Sequence, residues 1–431
     1  MLIARFHGHL GLNMRLQLLF LTSALCVSCT PSAEQAPSDE QAGVERGGVQ
    51  GGDAQGGAEP YTGGMGDRLE LGVAGEARSE DAEPPMDQAL VDAGPPTPPA
   101  PYEVVVLDQA PIYSYGEENF QNALGALDFG EGPFASVVME VTLHTTCFPF
   151  ESWSDDPPPD GQRWPPSCDA FDRNFELHLR PNSGPLDPTS QTPAEFEVMR
   201  AITPFGGPSR YELDLTDYAN VYPHESEARV HITTWSDASG QVSGSQGMWR
   251  VSLKARVTPG PAPREVVALV PIFNRNLRLA DGPLEVPFTV PEGVREARLE
   301  YRATGHGGGD DPSPRCIGPA EEFCERTHIL GADGFDLETF TPWREGCEAG
   351  CTLTQYEDPQ NSFEYCAENP TGLPQSVRAS RANWCPGALT PAYELSVPRF
   401  TQAGEHSLYL EVQGLHPDGV WRVSAHLYLY R

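Results

Sequence analysis

Two short segments, far apart in the chain, carry the residue types best suited to chemistry. S-C-D-A-F-D-R, ending at Arg173, and E-E-F-C-E-R-T-H, ending at His328, each set carboxylates and an arginine within a few residues of a cysteine. A disulfide at such a cysteine would pin the backbone beside an acid, which is one way a small extracellular protein holds a reactive carboxylate still. A third segment, R-A-N-W-C-P-G from Arg381, adds an arginine beside Cys385. Taken alone, Asp172 next to Arg173 also fits a capped turn with a weak surface ion pair.

Such segments need a rigid frame. With 43 Gly and 43 Pro among 431 residues, the chain is too turn-rich for a helical protein and suits an all-β body of short strands. Period-2 alternation appears at 136–144, 175–180, 196–202, 229–235 and 248–257. In the first of these Val137, Met139, Val141 and Leu143 share one face. A Pro-rich joint, 258–264, interrupts the pattern, which resumes at 266–273, 285–290, 297–301, 407–412 and 421–430. In the last run Trp421, Val423, Ala425, Leu427 and Leu429 alternate with Arg422, Ser424, His426, Tyr428 and Tyr430. No segment holds a helical period. The pattern predicts two antiparallel jelly-roll β-sandwiches, 101–258 and 265–431. The stretch 305–391 reads as a long irregular loop, and it holds six of the eight cysteines beyond the leader.

Residues 1–29 have the basic start and short apolar run of a secretory signal, too short to span a bilayer. L-C-V-S-C-T resembles a bacterial lipobox, which makes Cys29 the expected lipidation site; an ordinary cleaved signal is the alternative. Residues 30–100 are acidic and Gly/Pro-rich, with too few apolar residues to offset the entropy of ordering, and are expected to be a disordered tether. The expected location is outside the cytoplasm, lipid-anchored to a bacterial membrane, at the outer membrane or cell surface. The net charge of -33 argues against nucleic acid and anionic membrane surfaces as ligands. Eight cysteines remain after Cys26 and Cys29, an even set that in an exported chain reads as disulfides. Zinc at Cys347 and Cys351 is the competing reading, but no further pair completes a tetrahedral site. No metal ligands are assigned.

C-D-A-F-D-R with the preceding Cys147, then V-M-R-A-I-T-P-F, Y-E-L-D-L-T-D-Y and I-T-T-W, resemble the amino-terminal domain of the peptide-N-glycosidase F family. T-G-H-G, E-F-C-E-R-T-H, W-R-E-G-C and R-A-N-W-C-P-G resemble its carboxy-terminal domain. The matches run in order over 102–431. The resemblance implies two jelly rolls side by side with a cleft between them, and a cofactor-free amidase that cleaves between the innermost N-acetylglucosamine and asparagine. It implies catalytic roles for Asp172 and Glu322, substrate contacts for Arg173 and Arg381, and cleft positions for Trp235, Trp384 and His306. Amide hydrolysis needs a base and a proton donor, which two carboxyls supply when their environments split their pKa values.

This sequence departs from the family in three places. Thr233 stands in I-T-T-W where the family has a third acid. C-I-G-P-A-E-E-F-C is longer than the family's segment, so Glu321 competes with Glu322 for the match. An insertion at 348–373 brings its own cysteine pair, Cys351 with Cys366, and is expected to border the cleft. The resemblance implies the other pairings, Cys147 with Cys168, Cys316 with Cys324 and Cys347 with Cys385.

The expected function is therefore glycoamidase action on N-glycosylated proteins or peptides by a monomer whose membrane contact is its lipid anchor. A non-catalytic glycan- or protein-binding lipoprotein on the same scaffold is the rival, favoured by Thr233. Copper monooxygenase chemistry, suggested by shared architecture alone, lacks its ligands: the only H-x-H is His7 with His9, and His144, His178 and His231 read as strand residues rather than metal ligands.

Overall fold

The computed structural model describes residues 100–116, 118–182, 195–234, 242–318, 320–357 and 362–431. The leader, the tether, Cys29 and Trp235 lie outside the described residues. The first half contains β1 (Tyr102–Tyr113), β2 (Asn122–Leu127), β3 (Phe134–Thr145), β4 (Asn174–Pro181), β5 (Phe196–Ile202), β6 (Ser209–Asp214), β7 (Ser226–Ile232) and β8 (Met248–Pro259). The second contains β9 (Val266–Leu277), β10 (Leu284–Val290), β11 (Glu296–Gly307), β12 (Thr327–Ala332), β13 (Phe335–Phe340), β14 (Leu353–Glu357), β15 (Ser362–Cys366), β16 (Tyr393–Ser396), β17 (Gly404–Gln413) and β18 (Gly419–Tyr430).

The strands pair antiparallel into sheets ordered β1-β8-β3-β6 and β2-β7-β4-β5 in the first half, and β16-β11-β18-β9 and β10-β17-β12-β13 in the second. With the hairpin β14–β15 set aside as an insertion, the two halves share one order: first strand beside last, last beside third, second beside seventh, seventh beside fourth. Both are therefore jelly rolls of eight strands. Each has its own core. Val137, Met139, Val141 and Leu143 on β3 meet Val251 and Leu253 on β8 in one; Leu299 and Tyr301 on β11 meet Val423 and Ala425 on β18 in the other.

The stretch 305–391 is not one irregular loop. It contains β12 to β15. β13 escapes a pattern search because it is short and its two core-packed residues, Leu337 and Phe340, are three apart rather than two. The alternation in β4 and β18 also conceals something: β4 has five consecutive buried residues and β18 a similar run. Their apolar faces look into their own sandwiches while the polar faces meet each other.

That polar seam joins the halves. Arg422 on β18 forms a fork on Glu176 of β4, at 2.8 and 2.9 Å. Arg200 on β5 binds Glu197 at 2.6 and 2.5 Å and donates to the Arg422 carbonyl and to Thr304 Oγ1 at 3.5 Å on β11. His426 Nε2 accepts from the Glu197 amide at 3.1 Å, and Arg302 donates to the Glu197 carbonyl at 3.1 Å. Burial raises the Glu197 pKa, but the Arg200 guanidinium outweighs it and brings it down to about 2. Removing one member of such a set leaves a buried charge uncompensated.

Candidate active site

The two acid-bearing segments occupy the same topological place. Each follows the third strand of its jelly roll and leads into the fourth: β3 to β4 in the first half, β11 to β12 in the second. Each is closed by a disulfide, Cys147–Cys168 or Cys316–Cys324. Cys347–Cys385 and Cys351–Cys366 complete the four, which takes the Cys347 and Cys351 sulfurs out of any zinc site.

In both segments the arginine is engaged by a neighbouring acid rather than by the acid expected to react. Asp169, fully buried, accepts Arg173 Nε at 3.1 Å and Nη2 at 3.2 Å, the Phe171 amide at 3.2 Å, and the Ser114 hydroxyl. Glu321, also fully buried, accepts Arg326 Nε at 2.6 Å and Nη2 at 2.8 Å, Trp421 Nε1 at 2.9 Å and the His416 amide at 3.3 Å. Gly419 makes room for it, since a Cβ there would lie 2.9 Å from Glu321 Oε2. Each anchoring acid has its lone pairs filled, so neither is poised to move a proton. Between Glu321 and Glu322, geometry leaves Glu322 as the one facing a shared charge.

Glu322 Oε1 lies 3.4 Å from Arg381 Nη1. Arg381 is 1 % exposed and lies over the rings of Phe323 and Trp384, 4.5 Å from each centroid. Its Nη2 donates to the Ser376 carbonyl at 2.9 Å and hydroxyl at 3.0 Å, which fixes the guanidinium plane. Burial raises the Asp172 pKa; Arg381 opposes this most, ahead of Arg173. Burial also drives Glu322 up to about 7, against Arg381 and helped by repulsion from Asp172. The two carboxyls therefore perturb each other around one guanidinium. Both carboxyls are thus raised, with two arginines opposing the rise at Asp172 and one at Glu322.

Asp172, Arg173, Thr233 and His306 also line a cavity of about 700 Å³ between the halves, with Glu176, Arg229, His231, Arg275 and Arg422. Trp384 does not offer a free face to a ligand. It is 2 % exposed, donates to the Gly305 carbonyl at 2.9 Å, stacks on His306 at 5.5 Å and carries Arg381; it is the floor beneath Arg381. Burial, with Arg200 nearby, lowers the His306 pKa to about 3, so the ring is neutral, and its Nε2 lies 2.8 Å from Thr304 Oγ1. Thr233 is exposed, its hydroxyl 3.0 Å from His231 Nε2. No described residue of the 348–373 insertion lines this cavity.

Glu176 and Arg422 were not visible as site residues in the sequence. Burial raises the Glu176 pKa, but Arg422 and His178 outweigh it and hold the carboxyl well below the ordinary range. The alternation that exposes their polar faces is the one available signal, and it does not say what they face.

Two jelly rolls, each with a disulfide-closed acidic segment, and an arginine-lined cleft between them define a class of two-sandwich proteins. Residues 274–428 match the family model described as peptide-N-glycosidase F, C terminal. Peptide-N(4)-(N-acetyl-beta-D-glucosaminyl)asparagine amidase F of Elizabethkingia miricola is 23 % identical over 240 residues, covering 52 % of this chain and 58 % of that protein. The match thus spans under two thirds of that relative's length. Among solved structures, PNGase F from Flavobacterium meningosepticum, described as a glycosylasparaginase, superposes with a TM-score of 0.55 at 18 % identity, over 77 % of this chain and 96 % of that one. PNGF-II gives a TM-score of 0.56 at 17 % identity, over 76 % and 65 %. Residues 274–428 thus resemble the carboxy-terminal part of peptide-N-glycosidase F, and the fold of the chain is similar to that of PNGase F.

Proposed function

We propose that this chain is an exported glycoamidase that hydrolyses the bond between N-acetylglucosamine and the asparagine side chain of N-glycosylated proteins or peptides. The observation that carries this reading is the pair of raised carboxyls, Glu322 at 3.4 Å from Arg381 and Asp172 within the field of the same guanidinium, with Asp172 lining the cleft of about 700 Å³. Asp172, as the anion, takes a proton from water, whose oxygen bonds to the asparagine side-chain carbonyl carbon. Glu322, as the neutral acid, gives its proton to the departing nitrogen. The carbonyl C–N bond breaks, leaving aspartate on the peptide and a 1-amino sugar. Arg381 and Arg173 orient the acids and meet the developing oxyanion.

The test is incubation of the purified protein with a denatured N-glycoprotein, reading free glycan and the conversion of asparagine to aspartate by mass. Release by the wild type and its loss in Asp172→Asn, with folding intact, supports the proposal. Absence of release from every glycan type tried overturns it, and unchanged release in Asp172→Asn overturns the assigned roles. A non-catalytic glycan-binding protein is the second reading, favoured by the Thr233 hydroxyl where the resemblance leads one to expect an acid; binding without release is its signature. The leader motif supports lipidation at Cys29 and a membrane-anchored location, tested by the mass of the mature amino terminus.

A further inference from the structure

The 348–373 insertion has its own disulfide and its own sheet, and none of its described residues lines the cavity. Its inward face instead grips the first sandwich. Tyr356, Phe363 and Tyr365 pack edge-on around Phe150, with ring centroids 5.1, 5.5 and 5.1 Å away. Phe150 is 3 % exposed and lies inside the loop closed by Cys147–Cys168, the loop that delivers Asp172. Edge-to-face packing of this kind is directional as well as apolar.

Behind the hairpin, the turn after Cys366 is keyed into the β5–β6 connection. Asn369 Oδ1 accepts from the Phe205 amide at 2.9 Å while its Nδ2 donates to the Gly350 carbonyl at 2.9 Å. The Thr371 amide donates to the Phe205 carbonyl at 3.1 Å. The fit needs glycine: a Cβ on Gly207 would lie 2.3 Å from the Glu368 carbonyl oxygen. Gly206, at φ +59°, would place one 2.6 Å from Thr371 Cγ2. The Thr371 hydroxyl then donates to the Ala170 carbonyl at 2.7 Å, two residues before Asp172. The other holds on this segment come from the first sandwich itself, where the Ala170 amide donates to the Gly244 carbonyl at 2.9 Å and the Arg173 amide to Thr203 Oγ1 at 2.9 Å.

We propose that the insertion is a clasp between the two jelly rolls and that Thr371 is a positioning residue, fixing the segment that carries Asp172 relative to Glu322. The positioning role rests on the reading of Asp172 as the acid–base residue; the clasp does not.

The experiment uses the full chain with Thr371→Val, which keeps the shape and removes the donor, and Thr371→Ser, which keeps the donor. Hydrogen exchange read by mass on peptides covering 168–174 should accelerate at least tenfold in Thr371→Val and return toward wild type in Thr371→Ser, with β17 and β18 unchanged. Phe363→Ser, at a partly exposed ring, should give the same local acceleration and serves if Thr371→Val does not fold. Unchanged exchange at 168–174 in the folded variants overturns the clasp. For glycan release, kcat should fall about tenfold in Thr371→Val with KM little changed; accelerated exchange with wild-type kcat overturns the positioning role. A wild type that releases no glycan while exchange responds as expected leaves the clasp supported and refutes the proposed function alone.

Discussion

Glu322→Gln tests the electrostatics of the cleft without relying on turnover. A carboxyl whose pKa rises from 4.5 to about 7 on folding is easier to protonate in the folded state. Its favourable contribution is complete below pH 4.5 and is lost as pH climbs through 7. At about 1.4 kcal/mol per pH unit of displacement, the folded state gives up roughly 3 kcal/mol above both values. Water reaching the side chain, 17 % of which is exposed, screens part of this and leaves about 2–3 kcal/mol. Glutamine stays neutral at every pH and keeps the shape. It also relieves the repulsion on Asp172, which acts in the same direction. Urea unfolding with the disulfides oxidised should find the two proteins within about 1 kcal/mol of each other at pH 4. At pH 9 the Gln variant should be more stable by about 2–3 kcal/mol. Equal stability at pH 9, or a less stable Gln variant there, would mean that Arg381 holds Glu322 ionised, and the proton-donor role would fall with it.

Two further predictions follow from neighbouring features. If Glu322 must carry a proton, kcat/KM for glycan release should decline above about pH 7, the value to which Glu322 is raised; a profile still rising at pH 9 refutes that assignment. On the acid side, activity should be lost above the ordinary aspartate range, because the Asp172 pKa is raised. Arg422→Met leaves Glu176 buried without its fork and should cost roughly 3–5 kcal/mol in chemical denaturation, whereas the double variant with Glu176→Gln should recover much of that. Additive losses in the double variant would show that the fork does not couple the halves.

Much of the frame was legible because the cores follow period 2: Val137 to Leu143 and Trp421 to Leu429 point inward as their alternation requires. Strands of five or six residues, such as β13, β14 and β15, are too short for their alternation to stand out. The segments around Asp172 and Glu322 stood out because cysteine, acid and arginine coincide. Their internal pairing did not, since adjacent acids are equivalent in sequence and only the fold decides that Asp169 and Glu321 are consumed. Trp384 illustrates the same limit: an aromatic beside a cysteine reads equally as a sugar platform or as a buried support. Glu176, Arg200 and Arg422 read as solvent-facing residues because alternation reports which side of a strand is polar, not what lies across from it.

The polar seam works as a registration key. An apolar interface tolerates sliding, because one methyl group serves nearly as well as the next. Here a shift of β18 along β4 by one side-chain repeat, about 7 Å, would carry Arg422 off Glu176 and His426 off the Glu197 amide, leaving buried groups unpaired at several kcal/mol each. The halves therefore dock at a single setting. Since Asp172 and Glu322 belong to different halves, the seam sets the register on which their separation depends, and the hold of Thr371 on the Asp172 segment acts within that register.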